Sequence, residues 1–593
     1  MKLQTQRLVL PFLLLIVGLF PTCKTDTPPG CGPVEFSREN TVTTRMLGAA
    51  VSFNPHLSKS SYDTYVVSQI IQTLSVIEPK TMEMVPQMIK KIPTVRTIAS
   101  GPYAGMLAYD FELYDDAAWD NGSPVTVNDI IFSLKIILHP LLPMVKRWSG
   151  YFEYLKAVEP DPANPKKFTV YFSKYYILAL ESFCQFPVYP AYNYDPDGLL
   201  ASIPLSDFID KARIAQLAEN NPNLKTWAEF FQLPKFINDK SAISGSGPYR
   251  LESLDVDQGC VLVKKQNWWG DRHVDENPYT GAFPEKLVYR YMKDDVPVES
   301  LIRSDGLDII PDLAPGRFLA LQKDSCLAMR YDFVVQSITA FGRVMLNHSH
   351  PALSDKRVRQ ALAYSINYDY LINTVYQGMA ERIVGMVHPS KPFYARSIKP
   401  YNYDIQKAKA LLAAAGWTDS NGDGIADKMI NGVRTELRLE MLTAGSAVTQ
   451  ESAKNIVTTA RNAGIEIVKV ETDITAYRDL MSKGKFDIAV NAAALYPGLV
   501  EFYQVYHTNS IGGDNKFNYS NPEVDALIDA IRTEPNDTKR NALYIRAQEK
   551  LYEDLPEIYL YVPKQRIIVS KRFNYVLSPN RPGYYEQYFR LNQ

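Results

Sequence analysis

Between about residues 405 and 491 the chain alternates helical and strand-like segments, and this alternation restricts the fold more than any other feature. Residues 406–415 read as a helix stopped by Gly416, where a glycine can adopt the left-handed cap. A strand (436–443), a helix (449–463) ending at Gly464, a strand (465–471), a helix (474–483) and a strand (485–491) follow. Strand–helix–strand at this spacing builds crossover units whose strands lie parallel. One amphipathic helix over 355–377 precedes the series. On either side the texture changes to strands, at 248–293 (PYRLESL, CVLVKKQ, KLVYRYM) and at 557–571 (EIYLYVPKQRIIVSK). An α/β domain inserted between two strand-containing parts gives two lobes, joined by at least two crossing segments, with a cleft between them. A chain of 593 residues is in any case too long for one ordinary core.

Earlier in the chain, residues 43–53 predict a short buried strand, and 106–120 alternate as a half-buried strand closed by the turn Asn121-Gly122-Ser123-Pro124. Thr126, with Asp129 three residues on, caps a helix whose apolar face is Ile130, Ile131, Leu134, Ile137 and Leu138.

The N-terminus carries a second constraint. Lys2 and Arg7 precede an uncharged run, Leu8 to Phe20, too short for the roughly 20 apolar residues of a membrane-spanning helix but suited to a secretory signal. Cys23 stands directly behind it, and the polar, Pro/Gly-rich stretch Lys24 to Pro33 follows like a tether. No other segment approaches transmembrane length. Cys31, Cys184, Cys260 and Cys326 remain, without CxxC spacing; export would permit disulfides, but the pairing is not legible.

The chemistry-bearing patterns are sparse. A net charge of -1 offers no basic field for a nucleic acid. There is no GxSxG elbow, and Gly245-Ser246-Gly247 lacks the third glycine of a dinucleotide fingerprint. His348 and His350 are the one close histidine pair, too few ligands for zinc by themselves. Asp419-Ser420-Asn421-Gly422-Asp423-Gly424 copies the first half of a calcium loop, and Asp427 would fall at its ninth position. The twelfth position is Ile430 where a bidentate Glu is required, which favours a turn over bound calcium. No catalytic constellation assembles, so an enzyme is not expected, nor a cofactor. The one compositional skew is aromatic, 12% with 38 Tyr, which suits a binding surface as well as a Tyr-rich core.

Several motifs together resemble one family. Residues 107–135 (LAYDFELYDDAAWDNGSPVTVNDIIFSLK) are similar to a strand–turn–helix signature of the family-5 extracellular solute-binding proteins, the peptide- and nickel-type receptors of ABC importers. Gly245-Ser246-Gly247-Pro248-Tyr249, Asn267-Trp268-Trp269-Gly270 and Asn347 to Asn367 resemble further elements, in the family's order. Leu19 to Cys23 resembles a lipobox, with Thr22 and Phe20 departing from it.

The resemblance implies an α/β fold of the type II periplasmic-binding-protein class: two lobes with a cleft, and an extra domain in the first lobe. It divides the chain into a signal peptide (1–22), a tether lipidated at Cys23 (23–39), a first lobe (40–320, with the extra domain at about 73–186), a second lobe (321–555) and a return to the first (556–593). Hinge crossings are expected near 310–330 and 550–560. It implies a monomeric receptor, exported and lipid-anchored outside the cytoplasmic membrane. Such a receptor would capture a peptide or other small solute and pass it to an ABC permease, or hold it without transport.

Tyr62, Asp63, Phe132, Ser244, Gly245, Ser246, Gly247, Tyr496 and Glu501 are the candidate ligand-binding residues. Gly247 is expected to support a loop whose amides face the cleft. Peptide-binding members carry an Asp for the peptide ammonium about ten residues after a Phe-Asp pair. Here Phe486-Asp487 is followed by no acid before Glu501, so either Glu501 or Asp63 takes over that anchor, or the ligand has no free amine.

Overall fold

The computed structural model describes residues 31–593 apart from Lys59, Met144, Tyr496, Pro497 and Gln593. The signal segment 1–22, Cys23 and Tyr496 thus lie outside the described residues.

A 12-stranded sheet runs through both lobes. Its path begins with Glu466–Glu471, Arg438–Thr443, Ile488–Ala494 and Ala340–Leu346, and reaches the long strand Glu557–Ser570. It continues through Ile309–Pro311, Thr41–Met46, Lys286–Tyr291, Gly259–Lys264 and Tyr249–Asp255. Arg438–Thr443 is parallel to both of its neighbours, as the alternation requires. The intervening helices are Ala447–Asn462 and Ile474–Ser482, with Gly464 at φ +89 where the chain leaves the first of them.

Glu557–Ser570 belongs to both lobes. Its first part pairs antiparallel with Ala340–Leu346 of the second lobe. Lys564 to Ser570 pair with Tyr331–Ser337, and Ile567 to Val569 pair with Ile309–Pro311. The crossings therefore run along this strand and through the turn between Ser337 and Ala340, slightly C-terminal to the stretches expected from sequence.

The extra domain is built on a four-stranded antiparallel sheet ordered Val95–Thr97, Leu107–Glu112, Asn164–Phe172, Leu155–Asp161. Helix Val127–Ile137 lies against it, burying Ile130, Leu134, Ile136 and Ile137. The Thr126 amide donates to the Asp129 carboxylate at 2.9 Å, the expected reciprocal cap. One apolar cluster joins Val42, Ile70, Phe111, Leu134 and Tyr249, so the first lobe and the extra domain share a core. The second lobe has cores of its own, around Leu346, Leu362 and Ile456 and around Phe502, Tyr506 and Tyr544.

The helix expected over 355–377 is broken. Lys356–Ser365 ends as Ile366 turns extended (φ -86, ψ 128), and Asn367 then accepts from the Tyr370 amide and starts a new turn. An asparagine competes well for such amides at a helix start, which periodicity does not register.

Cys31 and Cys326 form a disulfide with Cα atoms 5.3 Å apart, tying the start of the described chain to helix Ser325–Arg330. Cys184 and Cys260 are free and buried. Among the described residues no helix is long and apolar enough to cross a membrane.

Candidate functional site

The first-lobe side of the hinge holds a small pocket lined by Arg45, Tyr62, Tyr65, Asp312, Gln565, Arg581 and Tyr584. Local structure sets each of these. Tyr62 sits in the first turn of helix Ser61–Val67, and its ring lies where a side chain on Gly48 would go. Asp312 follows strand Ile309–Pro311 in the left-handed region (φ +57), its amide bonded to the Arg566 carbonyl at 2.8 Å and its carboxylate accepting from Gln565 at 3.4 Å. Burial, then the nearby Asp312 charge, pushes the Tyr62 hydroxyl up to about 12, so it remains a hydrogen-bond donor. Burial works against the Arg581 charge, but Tyr65 and then Asp312 hold it above the ordinary value. The pocket combines two guanidinium groups, a carboxylate and three phenols. Of the sequence candidates, Tyr62 is the one placed here.

Asp63 is next in the chain but faces the other way. It is fully buried, and its carboxylate accepts from the amides of Val51 (2.7 Å), Ser52 (3.1 Å) and Ser60 (3.0 Å). The Ser60 hydroxyl oxygen in turn accepts from the Asp63 amide at 3.1 Å, completing a capping box. This corrects the expectation that Asp63 lines the cleft: its acceptor capacity serves the loop 51–60 and the helix start.

The Ser244–Tyr249 segment is likewise occupied. The Gly247 amide donates to the Ile70 carbonyl (2.8 Å) and the Tyr249 amide to the Gln69 carbonyl (3.2 Å). A Cβ on Gly247 would stand 2.6 Å from the Gln69 carbonyl oxygen and 2.7 Å from that of Ile70. Glycine is thus required, yet the cause is close backbone packing, not a positive φ or amides turned to a ligand. Ser246 donates to Gln72 (3.0 Å), and its carbonyl accepts from both Trp268 (2.8 Å) and Trp269 (3.1 Å). Ser244 and the Gly245 amide both donate to Asp120 at 3.0 Å, and Lys265 bridges Asp120 and the Gly245 carbonyl. The element is a knot joining the extra domain to the core of the first lobe. Phe132 is core as well, set edge-on against Trp227 with ring centroids 6.1 Å apart.

Glu501 has a different partner from the one expected. Arg532 donates to it at 3.3 Å, Tyr176 at 2.8 Å and the Tyr503 amide at 2.8 Å. Arg532 and Glu501 belong to the second lobe, Tyr176 to the extra domain. From the same guanidinium, bonds cross to Glu153 (3.2 Å) and to the Gly150 carbonyl (3.0 Å), and the Ile177 amide donates to the Arg532 carbonyl at 2.9 Å. Burial opposes the Arg532 charge, yet Glu501 and then Tyr176 raise its pKa well above the ordinary value. Ile177 and Leu499 pack against apolar clusters on both sides. The sequence offered no local signal for Arg532, Tyr176 or Arg581, because each acquires its role from a partner far along the chain.

The Asp419–Gly424 loop closes on itself. Asp419 accepts from the amides of Gly422 (2.7 Å) and Gly424 (2.9 Å), and Asn421 donates to Asp423 (2.8 Å). Asp427 is taken by the Ser420 amide and hydroxyl. Among the described residues no cluster of three or more metal-ligating side chains forms.

Replacing Asp63 by Asn is expected to lower stability by about 1–3 kcal/mol in urea unfolding, the cost of weakened buried bonds. The affinity of the folded variant for ligand should be unchanged. Lost affinity at unchanged stability would return Asp63 to the cleft.

Comparison with known proteins follows the same architecture. The profile of the bacterial extracellular solute-binding proteins, family 5 Middle, matches residues 99–513. The oligopeptide-binding protein AppA of Bacillus subtilis is 23% identical over 551 residues, covering 91% of this chain and 89% of its own. Its structure with a nonapeptide superposes with a TM-score of 0.74 at 19% identity, over 93% of this chain and 99% of that one. The nickel-binding periplasmic protein of Escherichia coli is 23% identical over 354 residues, 58% of this chain and 63% of its length. NikZ from Campylobacter jejuni, in complex with Ni(L-His), gives a TM-score of 0.70 at 19% identity, over 93% and 98% of the two chains. The chain belongs to the family-5 extracellular solute-binding proteins, which bind and do not catalyse.

Proposed function

We propose that the protein is a membrane-anchored receptor that captures a solute, foremost a peptide, between its lobes and delivers it to an ABC permease. The observation that carries this reading is the cross-lobe contact of Arg532. Separate cores meet there through hydrogen bonds of a few side chains, with Ile177 and Leu499 packed between them. A contact of that kind can be broken and remade during a hinge motion about the shared strand. Tyr62 with the hinge-side pocket is the proposed ligand-facing group. The described chain is long enough for both lobes and the extra domain, and AppA, which it resembles over most of its length, was solved with a nonapeptide.

A non-peptide solute is the second reading, favoured by the likeness to proteins named for nickel and by the absence of an acid between Ile488 and Val500. Calorimetry with a mixed peptide library is expected to give micromolar or tighter binding at one site per chain. Binding of a nickel–histidine chelate or an oligosaccharide, with no peptide bound, would overturn the peptide assignment.

Anchoring is proposed through lipid on Cys23, supported by the signal-like run ahead of it and the polar tether behind it. The Cys31–Cys326 disulfide then fixes where the tether leaves the folded part. Labelled palmitate should enter the wild type and be absent from Cys23→Ala; label retained in the variant would place the lipid elsewhere.

A further inference from the structure

Two buried arginines of this protein spend every guanidinium nitrogen on an acceptor. Arg359 donates to the carbonyls of Leu353, Asp554 and Leu555, and Arg532 to Glu501, Glu153 and the Gly150 carbonyl. Arg45 differs. It stands on strand Thr41–Met46 with its side chain fully shielded from solvent. Nε donates to the Met292 carbonyl (3.0 Å), and Nη2 to the Lys293 carbonyl (3.2 Å) and to Asp295 (2.6 Å). Nη1 is buried and has no partner among the described residues. The Nε atoms of Arg382 and Arg540 are in the same condition, but neither residue lines the hinge-side pocket, and Arg45 does.

We infer that Arg45, Arg581, Tyr62 and Tyr584 together receive a carboxylate of the ligand in this pocket. The assignment rests on the solute-binding reading above. A guanidinium N–H held out of water without an acceptor costs free energy, and an oxygen that arrives with the ligand recovers it. The cavity is small, so it takes an end group of the solute while the remainder lies in the cleft. A carboxylate suits it, because two oxygens can answer a guanidinium fork. The position in the fold agrees. Thr41–Met46 runs parallel to both Lys286–Tyr291 and Ile309–Pro311. Met46 and Asp312, at the C-terminal ends of two of these strands, line the pocket, and open α/β sheets bind ligands outside such ends.

The rest of the lining is donor-rich. Arg581 forms no ion pair within 4.0 Å among the described residues. Burial first, and a nearby carboxylate second, raise the hydroxyls of Tyr62 and Tyr584, so both stay protonated, and neither has a hydrogen bond among the described residues. The one acid of the lining is Asp312, whose carboxylate accepts from Gln565 at 3.4 Å. Asp295, the partner of Arg45 Nη2, lies outside the lining. Two guanidiniums against one carboxylate leave the lining one positive charge in excess, which a ligand carboxylate matches. A ligand ammonium at the same place would meet two like charges.

The test compares wild type with Arg581→Gln, Tyr62→Phe and Arg45→Lys. Calorimetry uses pentaalanine, pentaalanine amide, tricarballylate (a carboxylate that is not a peptide) and maltotriose. Arg45→Lys keeps a cation beside Asp295 and removes Nη1; thermal unfolding reports whether it folds, and if it does not, the other two variants decide. In wild type, amidation of the peptide should weaken binding on the order of 10- to 100-fold, as for a lost charged hydrogen bond. Arg581→Gln and Arg45→Lys should weaken pentaalanine by the same order and its amide by less than about twofold. Tyr62→Phe should weaken the acid alone, by roughly 3- to 10-fold. Tricarballylate bound in place of pentaalanine, and lost in the same variants, would uphold the site and put the carboxylate on a non-peptide solute. Equal binding of acid and amide by wild type, or equal loss of both in the variants, overturns the carboxylate assignment while leaving the receptor reading intact. Binding of maltotriose alone does the same. Failure of all four solutes to bind would overturn both.

Discussion

The long strand Glu557–Ser570 is the constraint on which the remaining geometry depends. Because one unbroken strand is hydrogen-bonded to Ala340–Leu346 at its start and to Tyr331–Ser337 toward its end, the lobes cannot separate at this edge without losing ladder bonds. Every backbone bond left unpaired in a buried sheet is costly, so relative motion is confined to bending about this line. The hinge-side pocket lies beside it, with Gln565 contributed by the strand itself. Arg532 closes the opposite edge, where side chains carry most of the contact. The protein is thus rigid where the sheet is continuous and separable where it is not.

Under the proposed function, that arrangement would link binding to closure. The Arg532 network joins Gly150, Glu153 and Tyr176 to Glu501 and Tyr503, so closure gains charge-assisted bonds but also removes a guanidinium and two carboxylates from water. Such buried pairs recover little more than their desolvation, so under the proposed function the open and closed forms would lie close in free energy. A ligand touching both walls then needs only a modest preference for the closed form to shift the balance.

Much of the architecture was legible because it rests on periodicity. The parallel core of the second lobe, the capped helix Val127–Ile137 and the glycine stops at 416 and 464 all follow from local pattern. Where a polar group had two possible partners, pattern was not enough. Asn367 breaks a helix that the apolar spacing would have continued, and Asp63 serves as a cap although its neighbour Tyr62 faces the pocket. Gly247 is constrained by the carbonyls of Gln69 and Ile70, which are remote in sequence and leave no local pattern. The surplus of tyrosine has both meanings at once: Tyr189, Tyr194, Tyr249, Tyr506 and Tyr544 are fully buried, while Tyr62 and Tyr65 line the pocket. The pairing of Cys31 with Cys326 and the capture of Glu501 by Arg532 are products of the tertiary fold, and no spacing rule encodes them.

Small-angle scattering tests the central claim, a two-lobed receptor latched across its cleft by Arg532 and closed by its ligand. The account predicts that Arg532→Ala without ligand has a larger radius of gyration than wild type, and that saturating ligand brings both to the same compact value. Identical scattering from wild type and variant, with and without ligand, would contradict it, because the lobes would then form one rigid body and the latch would be ordinary core packing.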